Sequence, residues 1–595
     1  METMRLILRL QGGRSTPLER WNAVNGFTIV TAIALTQDAP PVYPTSEPTD
    51  RAAQTGTARF RIVRPEVSQI TYILLVTLFI MAAHNFTFWS RVHAIFDGNL
   101  RQMAGWGIAV WMLTVISLVL FGFRWFLKPM AAFLLILASV TSYFMDTLGI
   151  VIDREMIQNA MLTTVNESKH LMTAGFFLHV LVWGLLPAAA ALWVKLRPTT
   201  FFGDVWRWAA TLVAAVAIFA AALYSDFKAY AAVAREHKEV LSSYQPGTAI
   251  AGAARYGKMM VKTRDVVVAP LGRDAKKGPL ILAAGKPVLT VVFVGETARA
   301  QNFGLNGYAR DTTPELAKRG VINFTDVRSC GTSTAVSVPC MMSNLTRDGY
   351  SYDAGVRQEN LLDVLHHADV DVLWWDNNTG DQGTAVRMGP IRRMTAADDP
   401  EACAQGECTD AVFLKPLAQH LPQITRDTVL FIHMIGSHGP SYYLRYPPEA
   451  EHFAPACRTS EFADCTTDEI VNAYDNSIRF TDHVIAATID MLKAQSDVIP
   501  AVFFLSDHGE SLGEDGLYLH AAPYFMAPDW QTRVPMLFWF SDSYKAAFKV
   551  DPGCLQSRSA QPQSQDNVFH SVLALMDIQT EVRNADLDLL AGCQG

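Results

Sequence analysis

The chain has 595 residues, 50% of them hydrophobic and 18% charged, with a formal net charge of -8. That length holds several domains, and the charged share is low beside the roughly 25% of an average soluble chain. A net negative chain without a basic run is not a nucleic-acid binder.

Residues 1–66 are polar and irregular, with prolines clustered at Pro40, Pro41, Pro44 and Pro48. The apolar stretch Phe27–Leu35 is too short to cross a bilayer and lacks the cleavage pattern of a signal peptide. The expectation here is a disordered cytoplasmic extension. Over 67–225 five apolar segments follow, at 69–89, 105–123, 129–148, 171–194 and 205–225. Each approaches the ~20 residues that a helix needs to span hydrocarbon. Basic residues (Arg59, Arg61 and Arg64; Arg124 and Lys128; Lys195, Arg197 and Arg207) mark the cytoplasmic edges, so five spans place everything after residue 225 on the other side. Trp89, Trp125, Tyr143, Trp193, Trp206, Trp208 and Tyr224 near the span ends suit interfacial belts. Between the third and fourth segments Asn159, Thr163 and Glu167 recur every four residues, a polar stripe on one helix face. From the residues alone this reads as a solvated face rather than a lipid-headgroup site.

Residues 226–286 read as a linker, with an amphipathic helix over Phe227–Tyr244 lying on the membrane and glycines interrupting the remainder. From 287 to 595 short apolar runs alternate with helical stretches: Val288–Val294, Val370–Trp374, Val429–Met434, Ala501–Leu505 and Met536–Phe540. This predicts a mostly parallel sheet between helices. All eight cysteines lie in this half, an even set that reads as disulfides in an oxidising compartment. Proximity pairs Cys330 with Cys340, Cys403 with Cys408 and Cys457 with Cys465, leaving Cys554 and Cys593 far apart with their pairing open.

In parallel sheets ligands bind beyond the carboxyl ends of the strands. Glu296 follows Val291–Gly295, Asp507 and His508 follow Phe503–Ser506, and His433 and His438 end or follow Val429–His433. His520 comes twelve residues after His508. Carboxylates and imidazoles in this mix are what zinc accepts. Between Cys330 and Cys340 runs Gly331-Thr332-Ser333-Thr334-Ala335-Val336-Ser337-Val338-Pro339. A disulfide across it would hold a threonine hydroxyl fixed and exposed, to be activated by a base or metal.

The motifs Gly295-Glu296-Thr297-Ala298-Arg299-Ala300, Ser329-Cys330-Gly331-Thr332-Ser333-Thr334, Ser437-His438-Gly439-Pro440 and Ser506-Asp507-His508-Gly509-Glu510 resemble those of the membrane phosphoethanolamine transferases, which include lipid A modifying and mobile colistin-resistance enzymes. The resemblance runs from about 67 to about 580. It implies a five-span α-helical transmembrane domain followed by a periplasmic α/β domain of alkaline-phosphatase/sulfatase type, in the bacterial inner membrane. Carried onto this chain it implies Thr334 as nucleophile and as zinc ligand with Glu296, Asp507 and His508. His438 and His520 match positions for a second metal or a substrate phosphate. His433, Asn378 and Gln382 match the substrate side, and Asn159, Thr163 and Glu167 match a substrate-binding loop, which revises the solvated-face reading. Many relatives carry a lysine where this chain has Gln382. The implied reaction moves phosphoethanolamine from phosphatidylethanolamine through Thr334 to a lipopolysaccharide acceptor, foremost lipid A, in a monomeric enzyme; this would weaken polymyxin binding. The alternatives are a related membrane transferase for another headgroup or periplasmic glycan, and a non-catalytic membrane scaffold.

Overall fold

The computed structural model describes residues 64–163 and 165–595, without the side chains of residues 165–167. The expected extension, up to residue 63, and the side chain of Glu167 lie outside the described residues.

The first apolar segment is not one straight helix. Helix α1 (Gln69–Ala83) starts at Ser68, whose hydroxyl accepts from Thr71 N, and stops before His84-Asn85. Helix α2 (Phe86–Ile95) then leaves at 72°. Asn85 stabilises the break by donating to Ile80 O at 3.0 Å and exchanging bonds with the backbone of Gln245. A buried amide at a bend needs such partners, and two polar residues inside an apolar run were the only local sign of it. The other four segments are α3 (Leu100–Phe121), α4 (Leu127–Leu148), α7 (Ala174–Trp193) and α8 (Phe201–Tyr224). These four are long and apolar enough to cross a membrane, and the bent pair makes five if it is taken as one span. Between α4 and α7 lie α5 (Arg154–Leu162) and α6 (Val165–Leu171).

The stripe expected through Asn159, Thr163 and Glu167 is broken. Thr163 caps α5 with extended backbone (φ -66°, ψ 142°), and its hydroxyl turns back to Asn159 O at 2.7 Å. Thr163, Thr164 and Val165 are β-branched in succession, which disfavours a continuous helix.

After α8 the expected single amphipathic helix divides at His237 into α9 (Phe227–Glu236) and α10 (Lys238–Ser242). Its apolar residues Tyr230, Val233, Val240 and Tyr244 pack on Phe88, Val92, Trp106 and Val110 of α2 and α3, so that face is spent on protein rather than on lipid. Of the glycines beyond, Gly247, Gly252 and Gly257 lie in one helix, α11 (Gly247–Lys262), whereas Gly272 and Gly285 lie outside helices with positive φ and interrupt the chain as expected. Gly252 is where α11 crosses α5, since a Cβ there would sit 2.8 Å from the carbonyl carbon of Asp153.

The catalytic half is built on a seven-stranded sheet. In chain order its strands are β1 (Val288–Gly295), β2 (Ile322–Phe324), β3 (Asp371–Asp376), β4 (Arg392–Arg393), β5 (Thr428–His433), β6 (Ile499–Ser506) and β7 (Met536–Phe540). Their spatial order is β2-β7-β6-β1-β5-β3-β4, with β7 alone antiparallel to its neighbours. Alternate residues of β1 enter opposite cores: Val288, Val292 and Val294 on one face, Leu289, Val291 and Phe293 on the other. Burial on both faces is why the strands read as unbroken apolar runs. Helix α13 (Thr467–Lys493), opened by a Thr466–Glu469 capping box, covers the second face. All four disulfides form, Cys554–Cys593 included.

Candidate active site

Register assembles the site. Ser506 of β6 lies beside Gly295 of β1, so Glu296 and Asp507 leave the sheet at one level, and Asp507 N donates to Gly295 O at 2.9 Å. On the far side of β1, His433 of β5 lies beside Val294 and opposite Asp376 of β3. Thr334 is the first residue of α12 (Thr334–Met341), after an extended Ser333. The Cys330–Cys340 disulfide ties the approach of this helix to its last turn. Gln565 fastens the loop to β6: its Oε1 accepts from Cys330 N at 2.7 Å, and its Nε2 donates to the carbonyls of Ser506 and Asp507 at 2.8 and 2.6 Å.

Thr334 Oγ1 donates to Glu296 Oε2 at 3.0 Å and lies 3.4 Å from His508 Nε2. The threonine expected to be exposed is buried, at 4% of its accessible surface. It faces inward to the strand ends, so α12 closes over the site instead of displaying the hydroxyl.

Glu296, Asp507 and His508 each offer a ligand atom, all within 4.8 Å of one another, and all three are buried. Asp507 Oδ1 accepts from Thr297 N and His508 N, whereas its Oδ2 has no hydrogen-bond partner. Burial pushes the Asp507 carboxyl above its usual range. Burial, with His520 nearby, holds His508 well below the usual imidazole value. Two carboxylates converge on that ring, with Asp507 Oδ2 at 3.2 Å and Glu296 Oε1 at 3.5 Å from Nε2. A buried pair of acids with an orphaned oxygen is unfavourable without a cation, and this donor set fits a divalent metal such as zinc.

The His520 ring lies 4.5 Å from His508, tilted by 40°, and 5.3 Å from His438, edge-on at 66°, centroid to centroid. Its Nδ1 lies 2.8 Å from Glu510 Oε2, and Glu510 also accepts from Tyr442 Oη at 2.7 Å. Burial, then the neighbouring His520 and Arg445, holds His438 well below the usual value. Burial alone would lower His433, but Asp376, 2.9 Å from its Nδ1, outweighs it with Asp507 behind. Asn378 Nδ2 donates to Glu296 Oε2 at 2.8 Å and to Met434 O at 2.7 Å. Glu296, Asn378, His433, His438, Asp507, His508 and His520 are thus gathered around Thr334.

Gln382 stays outside this cluster: its Nε2 donates to Thr379 Oγ1 at 2.6 Å within its own turn. Asn159 and Thr163 make no hydrogen bond to the cluster either. The neighbour that does reach toward it is Gln158, buried on α5, whose Nε2 lies 3.5 Å from Ala335 O. A second tie joins α6 to the catalytic half. His170 Nε2 and Lys169 Nζ meet Glu407 Oε1 at 2.6 and 3.0 Å, and Arg445 Nη1 meets Oε2 at 3.0 Å. Arg445 also donates to His438 O at 2.8 Å. Burial works to raise the Glu407 carboxyl, but His170, Arg445 and Lys169 together bring it down to about 2. Gln565 was missed because no motif or period marks it; Gln158 and Glu407 stood directly before Asn159 and Cys408, and Glu510 lay within a quoted motif, but adjacency in sequence did not show their partners.

A mostly parallel sheet carrying acids, imidazoles and a threonine at its strand ends defines an α/β domain of sulfatase type, and residues 289–578 match the sulfatase family. Residues 110–260 match the family described as phosphoethanolamine transferase EptA/EptB. Phosphoethanolamine transferase EptA of Escherichia coli K12 is 38% identical over 540 residues, 89% of this chain and 98% of that one. Phosphatidylethanolamine transferase Mcr-1 from Escherichia coli is 36% identical over 492 residues, 80% of this chain and 90% of the relative. The integral membrane lipooligosaccharide phosphoethanolamine transferase A of Neisseria meningitidis superposes with a TM-score of 0.84 at 33% identity, covering 89% of this chain and 99% of that one. The chain belongs to the phosphoethanolamine transferase family and is a membrane protein with a sulfatase-like catalytic domain.

Proposed function

We propose that this protein transfers phosphoethanolamine from phosphatidylethanolamine to lipid A, with Thr334 as the covalent carrier and the catalytic domain in the periplasm of the inner membrane. The observation that carries this reading is the Thr334 hydroxyl at the start of α12, 3.0 Å from Glu296 and buried among Asp507, His508 and Asn378. In the first half-reaction Thr334 Oγ bonds to phosphorus, the bond from phosphorus to the diacylglycerol oxygen breaks, and the threonine proton ends on that oxygen. In the second, a lipid A oxygen bonds to phosphorus, the bond to Thr334 breaks, and the acceptor's proton returns to the threonine.

Glu296, Asp507 and His508, with Thr334 as fourth ligand, would hold one zinc ion, and His438 and His520 would hold a second metal or the substrate phosphate. Bound there, zinc lowers the pKa of a hydroxyl and neutralises charge on phosphoryl oxygens. The protein's own residues do the positioning. Gln565 and the Cys330–Cys340 bridge set the line of attack, Asn378 orients Glu296, and Asp376 fixes the tautomer and charge of His433. Modified lipid A would carry less net negative charge, so cationic polymyxins would bind it less well.

The test is lipid A mass spectrometry on cells with and without the protein, beside the intact mass of purified enzyme given phosphatidylethanolamine alone. A phosphoethanolamine adduct on Thr334 and on lipid A is expected. Absence of both from an expressed, folded enzyme refutes the reading.

A further inference from the structure

Two neighbouring cavities, one where the membrane helices meet the catalytic half and one among the membrane-half helices beside it, play no part in the chemistry above. The larger, of 440 Å³, runs from Ser117 of α3 and Leu134 of α4 to Asp153 at the N-cap of α5, Arg255 of α11 and the turn Pro523–Phe525. The smaller, of 290 Å³, is enclosed by side chains of α3, α8, α9 and α10, among them Trp106, Val110, Phe219 and Phe227, and has no charged lining. The two meet at Leu113 and Leu241, which line both.

Depth and chemistry change together along the larger cavity. Ser117 and Leu134 lie within spans, whereas Asp153 and Arg255 lie on segments outside them. A site walled inside the spans by Leu113, Leu134 and the internally bonded hydroxyls of Thr114 and Ser117, with opposite charges at its outer end, matches a lipid standing in the leaflet. Arg255 forms no hydrogen bond or ion pair among the described residues, and both N-cap bonds of Asp153 are accepted by Oδ1. One cation and one anion at the mouth complement a headgroup with a phosphate and an ammonium. The second, wholly apolar cavity across Leu113 and Leu241 provides for a second acyl chain. Trp106, 3% exposed, adds an independent sign, because its Nε1–H has no acceptor. A buried donor left unpaired is costly, and a lipid ester carbonyl supplies the missing partner.

We propose that these joined cavities seat a two-chain zwitterionic phospholipid, its phosphate at Arg255, its ammonium at Asp153 and its chains on either side of Leu113 and Leu241. Calling that lipid the donor rests on the function proposed above; the existence of the seat does not. The position suits a donor, since Asp153 caps the helix whose Gln158 meets Ala335, and the Pro523–Phe525 turn begins three residues after His520.

The test uses the full-length Thr334→Ala protein, which cannot turn over lipid, reconstituted in nanodiscs of equal phosphatidylethanolamine and phosphatidylglycerol. Native mass spectrometry then counts the lipid that stays bound. Retention of phosphatidylethanolamine about fivefold or more over phosphatidylglycerol is expected, because only the former carries an ammonium for Asp153. Leu113→Trp, which fills the junction, and Arg255→Glu on an exposed helix position should each lower retention by about fivefold or more. Unchanged retention in a folded Arg255→Glu protein, or equal retention of the two lipids, overturns the proposal. Transfer by the wild-type enzyme is measured separately. Transfer without retained lipid in the Thr334→Ala protein sinks the seat and spares the reaction; retained lipid without transfer does the reverse.

Discussion

The two halves of the chain handle buried polar groups in opposite ways. In the catalytic half they stand at the ends of strands held in register on both sides, so that Glu296, His433 and Asp507 are placed by backbone pairing over long distances in sequence. In the membrane half Asn85 is buried at the bend of α1 and α2, and Thr77, Thr114 and Thr141 are buried inside helices, each turning its hydroxyl back to a carbonyl of its own helix. The first arrangement is rigid and suits bond making and breaking. The second satisfies the threonines within their own helices. The halves are joined by Ile150, Phe144, Leu148, Ile152 and Met156, which pack into the core on the second face of the sheet, and by polar ties such as Gln158 with Ala335 and Glu407 with Lys169 and His170.

If chemistry resides in the strand-end half, its substitutions should abolish the reaction without touching the membrane half. The largest effect is expected from Thr334→Ala. Headgroup release should fall by about a thousandfold or more, since the residue makes the new bond, with melting temperature unchanged. Full activity in that variant would end the covalent reading. Asp507→Ala comes next: bound zinc should fall about tenfold or more, and activity with it, as read by elemental analysis of the purified protein. Undiminished zinc would place the ion elsewhere.

The junction should respond less and differently. Glu407→Gln should cost about 2 kcal/mol, between a surface pair and a fully buried one, seen as a lower denaturation midpoint with zinc content intact. The sign with pH follows from the depressed carboxyl. The contribution of Glu407 is fully present above its unfolded value near 4.5 and is lost as pH falls toward about 2. Wild type and Glu407→Gln should therefore differ in stability at pH 7 and converge only as pH falls through about 2. A constant difference across that range would mean that the glutamate acts through packing alone. The smallest effect is expected at Gln382. Lysine there should raise donor cleavage by a few-fold, on the order of 1 kcal/mol for a charge-assisted bond in place of a neutral one, if the side chain turns from Thr379 to the substrate. Single-turnover headgroup release measures this, and an unchanged or slower rate would leave Gln382 as a turn residue only.

How much was legible follows the same division. Buried strands announce themselves as apolar runs, and the first polar residue after each run is by construction at the sheet's edge; this is why the acids and imidazoles could be named from sequence. Gln158 and Gln565 could not be, because their partners lie 177 and 235 residues away in sequence and a glutamine has no periodic signature. The bend at Asn85 and the division at His237 escaped for a related reason: hydropathy averages over a window and passes through one or two polar residues. The exposure expected of Thr334 failed because a loop's composition says nothing about which way the following helix faces.

The contact between α5 and the helix that starts at Thr334 has a consequence for how the enzyme must be assayed. On the function proposed above, Thr334, held against a bilayer-side helix, would meet its substrates as neighbours in a sheet of lipid rather than as solutes in a volume. The quantity that sets its rate is then the mole fraction of each lipid in the surface around it. Adding inert detergent or neutral lipid at fixed total substrate should slow the reaction as strongly as withdrawing substrate would, whereas diluting whole vesicles with buffer should barely change it.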